Sequence, residues 1–136
     1  MRTLIPTVFV ILAAGVLGLS GAPANAADWV EYLRSGEYGD FCDQDSISRW
    51  GSNVMVRAYY SELRWEEVFN ANVYTVQTIE YDCQSWQFRL RKITAHNAET
   101  GEYLDGREYA PDDPTYPFEA IPGGGRPELL ARIVCR

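Results

Sequence analysis

The residues able to do chemistry are few. His96 is the only histidine among 136 residues, and the chain holds three cysteines, Cys42, Cys83 and Cys135. A histidine that activates a serine needs a third, orienting group and an oxyanion site. No G-x-S-x-G stretch supplies that order. Cys42 with His96 would make one nucleophile–base pair, but neither residue lies in a recognisable motif. Three scattered cysteines and a histidine have the wrong spacing for zinc. Asp112 and Asp113 lack the further oxygen ligands and the Gly-then-Glu pattern of a calcium loop. Glu66 and Glu67 are adjacent, so their side chains diverge and cannot act on one bond. The expectation is a protein that is not an enzyme and carries no cofactor or metal. The one chemistry left is oxidation of thiols.

Whether those thiols oxidise depends on where the chain goes. Arg2 precedes an apolar run at residues 4–19, and Ala24-Asn25-Ala26 puts small residues where a signal peptidase reads. This is the pattern of a cleavable secretory leader over residues 1–26, which leaves one domain at 27–136. The apolar run is short for a membrane span and contains Pro6. No cysteine follows it as a lipidation site, so an exported product, periplasmic or secreted and untethered, is expected.

Export places the cysteines in an oxidising compartment. Three of them allow one bridge and one leftover. Cys83–Cys135 is favoured, because it ties a central hairpin to the end of the chain, and closing that loop contributes up to about 4 kcal/mol by chain entropy. Cys42 is then a free thiol, buried or available to bridge a second molecule. The formal charge is −7, one unit more negative once Arg2 leaves with the leader. Nucleic acid and anionic membrane surfaces are therefore poor partners.

The elements that must hold these residues are mainly strands. Residues 73–90 read as a hairpin. With a two-residue loop at Gln84-Ser85, the cross-strand pairs are Cys83–Trp86, Tyr81–Phe88 and Ile79–Leu90, all six facing one way. Residues 54–61 alternate, with Val54, Val56, Ala58 and Tyr60 on one side. Residues 28–33 read as a short strand or arm, 41–49 as a polar bend leading into a short extended piece around Ile47, and 62–72 as one or two helical turns or an irregular loop. The second hairpin strand runs on to Ala95. Arg89 and Arg91 lie on its wet face, paired with Glu80 or Asp82, although two arginines there could also dock an acidic partner. A turn at 97–101, a strand broken at Asp105-Gly106, a proline-rich loop at 110–117 and a short strand at 118–121 follow. Residues 127–134 read as the one convincing helix, with Pro127 in its first turn and Leu129, Leu130, Ile133 and Val134 as an apolar face. Eight residues are not helical alone in water, so this helix must dock.

Taken together, the Phe41-x-Asp43-x-x-Ser46-Ile47 segment, Glu80-Tyr81-Asp82-Cys83, the Ile121-Pro122-Gly123 link and the terminal Val134-Cys135 resemble the surface-adhesin protein E-like family of Gram-negative bacteria. The resemblance spans nearly all of the chain after the leader. It implies an α+β fold: an antiparallel sheet of about six strands, with a C-terminal helix held against its concave face by a disulfide. It also implies an outer-surface protein that binds host matrix and plasma proteins. This chain departs from the family in lacking a lipidation cysteine, in carrying Cys42 where an aromatic is usual, and in carrying Phe118 where a tryptophan is usual. The expected function is that of an exported, non-enzymatic, adhesin-like binding protein contacting host or envelope proteins. The alternative is a periplasmic inhibitor or accessory protein acting on a secreted partner through the loops at 62–72 and 110–117. Tyr59, Trp65, Arg89 and Arg91 are the candidate binding residues, with Tyr60 and Trp86 as further aromatics of interest.

Overall fold

A computed structural model of the chain describes residues 28–36, 38–62 and 66–136. The expected leader at 1–26 and the candidate Trp65 lie outside them. Seven strands form one antiparallel sheet: β1 (Trp29–Ser35), β2 (Tyr38–Trp50), β3 (Asn53–Glu62), β4 (Val73–Asp82), β5 (Gln87–Asn97), β6 (Tyr103–Glu108) and β7 (Glu119–Ala120). The first six follow one another across the sheet in chain order. β7 pairs with Gln87 and Phe88 of β5, on the edge where β6 pairs further along. A four-residue helix, α1 (Glu66–Phe69), joins β3 to β4, and α2 (Arg126–Val134) ends the chain.

The alternation of β3 sets the core. Val54, Val56, Ala58 and Tyr60 are all buried and face α2, whose Leu130, Ala131 and Val134 are fully covered. Ile79 and Tyr81 of β4 join them. The Tyr81 hydroxyl donates to the Pro127 carbonyl at 3.1 Å, and the Arg49 guanidinium donates to the Val134 carbonyl, so both ends of α2 are tied to the sheet. Cys83 and Cys135 form a disulfide, with Cα atoms 5.4 Å apart. A nine-residue helix cannot hold itself, and these three ties with the buried face supply what propensity lacks.

Several expectations need correcting. The extended piece expected around Ile47 is there, but the polar bend expected before it is not: residues 41–49 all belong to the 13-residue β2, whose register against β3 slips between Asp43 and Ser48. The central hairpin pairs Tyr81 with Phe88 and Ile79 with Leu90 as expected, but its turn is four residues long, from Cys83 to Trp86. The Asp82 carboxylate accepts from the Gln84 and Ser85 amides at 3.0 and 3.2 Å, an Asx turn that favours the longer loop. Trp86 therefore sits at φ 56° and is half exposed rather than paired with Cys83.

Candidate binding surface

The two arginines proposed from sequence are not on a wet face. Glu80 is 2% exposed, and its carboxylate accepts from Arg89 Nε at 2.8 Å, Arg91 Nη1 at 2.7 Å and Asn53 Nδ2 at 2.8 Å. Neither arginine uses Asp82. Each also reaches the chain that follows β6: Arg89 donates to the Pro111 carbonyl and lies over the Phe118 ring at 4.2 Å, and Arg91 donates to the Tyr109 carbonyl at 3.2 Å. Burial pushes the Glu80 carboxyl up, but the hydrogen bonds from Arg91, Arg89 and Asn53 outweigh it and hold the group below its usual range. Arg89 and Arg91 thus clamp the proline-rich loop.

The motif residues have structural tasks too. Asp43, 1% exposed, accepts from the Asp28 and Asp45 amides and from the Arg57 guanidinium. The Ser46 hydroxyl accepts from the Arg57 amide, filling the gap left by the slipped register. Ile47 packs against the core. In Glu80-Tyr81-Asp82-Cys83, the four residues bind arginines, the helix, the turn and the disulfide in that order. Cys42 is fully buried, and burial pushes its thiol up, so a bridge to a second molecule would first require the core to open.

What is displayed lies on the sheet face opposite α2. Trp29, Phe41, Tyr59, Tyr74, His96 and Tyr103 form an unbroken row, one ring from each of β1 to β6. Trp29 and Phe41 meet Tyr59 edge-on at 6.1 and 5.7 Å. Tyr59 stacks on Tyr74 at 4.8 Å, and Tyr74 on His96 at 5.0 Å. Tyr103 closes the row against His96 at 5.9 Å. The register explains the continuity. Phe41 is opposite Tyr59, Tyr74 opposite His96 and His96 opposite Tyr103, while Tyr59 reaches Tyr74 diagonally.

Trp29 and Tyr103, at the two ends, are 37% and 58% exposed. The inner rings are half buried, and burial, then the neighbouring Tyr59, raises the Tyr74 hydroxyl above its ordinary value. At the β1 end a groove of about 420 Å³ runs between Trp29, Phe41 and Tyr59, with Gly39, Arg34 and Ser61 on its sides. Such a surface can stack on flat groups and take a cation against a ring face, as the Arg57 guanidinium already does 5.6 Å from the Trp29 ring. Sequence reasoning found Tyr59 of this row and missed the other five. Their only local signal is that each falls on the outward phase of its strand.

Among the described residues no helix is long and apolar enough to cross a membrane. No curated protein and no solved structure matches the chain. The family model for surface-adhesin protein E matches residues 29–136, which takes in the whole sheet, the disulfide and α2, and the chain belongs to that family.

Proposed function

We propose that the chain is an exported, non-enzymatic, adhesin-like protein that holds a protein partner on the face opposite α2. The observation that carries this reading is the aromatic row with its two exposed ends. Membership of a surface-adhesin family supports export and binding. The formal charge of −7 favours a partner that presents lysines or arginines, and those cations also suit ring faces.

The test uses the full chain, immobilised, against a panel of purified matrix, plasma and envelope proteins, with poly-L-lysine as the charge control. A saturable partner should lose about tenfold or more in affinity to the double variant Trp29→Ser/Tyr103→Ser, as expected when exposed aromatic anchors are removed. Equal binding by the double variant, or no saturable partner in the panel, overturns the reading.

One observation favours the alternative of an inhibitor or accessory protein. The loop at 110–117 is held in one shape by Arg89 on the Pro111 carbonyl, by Tyr109 against Tyr116 at 3.9 Å, and by the Thr115 amide on Asp113 at 2.8 Å. A preformed loop inserts into a cleft at low entropic cost. A one-to-one complex with a secreted hydrolase, lost on substitution in that loop and not in the aromatic row, would select it.

A further inference from the structure

α2 covers only part of its face of the sheet. Beside it lies a cavity of about 450 Å³, within the range of small-ligand sites. Its floor is Leu90, Ile93 and Ala95 of β5, with Thr75 of β4 alongside. Phe69 of α1 closes one side, and Tyr109 and Tyr116 close another. The Leu90 side chain is shared with a second chamber of about 190 Å³, which runs to Arg126 and Pro127 at the start of α2. The two chambers meet at Leu90 and line a largely apolar trough along β5.

The rim carries charge on β6. Asp105 and Arg107 face the trough from positions opposite Ala95 and Ile93. Asp105 turns a carboxylate oxygen onto the Gly106 amide at 2.7 Å. The Arg107 guanidinium stands beside the Tyr109 hydroxyl, exposed, above the apolar floor. An apolar trough with a guanidinium at its lip is complementary to an apolar chain that ends in an anion. We propose that this trough binds a free fatty acid, its chain lying along Leu90, Ile93 and Ala95 and its carboxylate meeting Arg107. The site lies across the sheet from the aromatic row, so it is separable from partner capture.

The experiment uses the full exported protein and the fluorescent probe 11-(dansylamino)undecanoate, displaced by laurate or by dodecanol. Saturable probe fluorescence with one site per chain, and displacement by laurate, is the expected result. Ile93→Trp, which fills the floor, should weaken the probe at least about tenfold. Arg107→Gln lies on the exposed rim and leaves folding intact. It should weaken laurate about tenfold and leave dodecanol unchanged, since it removes a charge-assisted contact and no apolar one. Absence of saturable probe binding, or laurate affinity unchanged by Arg107→Gln, overturns the proposal, whatever becomes of the Ile93 variant.

Discussion

The Ser46 hydroxyl takes the place of a strand. It accepts from the Arg57 amide at 2.8 Å and donates to the Asp43 carbonyl at 2.7 Å, where β2 and β3 lose direct register. Ser46→Ala leaves the Arg57 N–H without this partner inside a sheet. The expected cost is about 1–2 kcal/mol, the range for an unmade internal hydrogen bond. Urea unfolding should show a lower midpoint with an unchanged slope. A midpoint equal to wild type would mean that water replaces the hydroxyl at no cost.

Glu80 makes stability depend on pH. Burial raises its pKa, but the bonds from Arg91, Arg89 and Asn53 lower it further, so the folded value lies below the unfolded one of about 4.3. A depressed carboxyl contributes stability that is present above the unfolded value and lost as pH falls through the folded one. Glu80→Gln leaves Arg89 and Arg91, 14% and 18% exposed, without their counter-charge. The expected loss at pH 7 is about 3 kcal/mol. The gap between variant and wild type should narrow as pH drops below about 4, measured by urea titrations at a series of pH values.

Much of this architecture is legible in the chain. The alternation of Val54 to Tyr60 gives a strand and its buried side, and the apolar spacing of Leu130 and Val134 with Cys135 gives a docked, tethered helix. What is not legible is whatever depends on partners far away in sequence. Asp43, Gln44, Asp45 and Ser46 read as a bend because their polarity hides a ladder completed by a side chain. Arg89 and Arg91 read as solvated partners of Glu80 or Asp82, because nothing local reveals that Glu80 takes both and that the chain after β6 covers them. The aromatic row is invisible for the same reason. Each strand supplies one ring, and only the register puts the six in line.

The disulfide should be worth most to the end of the chain. The bridge spans a sequence separation of 52, which corresponds to about 4 kcal/mol on the chain-entropy estimate. Cys83→Ala/Cys135→Ala should lower unfolding stability by up to that amount. It should also raise amide exchange first in α2, which then keeps its buried face, the contacts of Tyr81 and Arg49, and the Arg126 ion pair with Asp40. Exchange rising uniformly over the sheet instead would show that the tether acts on the whole fold.

Cys42 should behave as a core residue. It is 0% exposed, and burial raises its thiol pKa. A disulfide-exchange reagent at pH 7.5 should leave it unlabelled in the native protein and modify one thiol per chain in urea. Rapid native labelling would show that the strands around it open often enough to allow a bridge between molecules.

Two neighbouring glycines separate the stability of the sheet from the shape of the aromatic row. Gly36 sits in the β1–β2 turn at φ 61°, with nothing within 4 Å of an added Cβ. Gly36→Ala therefore adds backbone strain alone and should cost about 1 kcal/mol. Gly39 needs no unusual φ, but a Cβ there would lie 2.9 Å from the Phe41 ring and 2.9 Å from the Glu31 carboxylate. The carboxylate ends a flexible, exposed side chain paired with Arg34, so it can move. The Phe41 ring is set edge-on against Tyr59 and cannot move without breaking that contact. Gly39→Ala should cost a similar amount, about 1–2 kcal/mol for overpacking. Only Gly39→Ala should change the near-ultraviolet circular dichroism of the tyrosines and weaken a partner held on the row. If both variants lowered partner affinity alike, binding would track the stability of the β1–β2 edge and not the position of its rings.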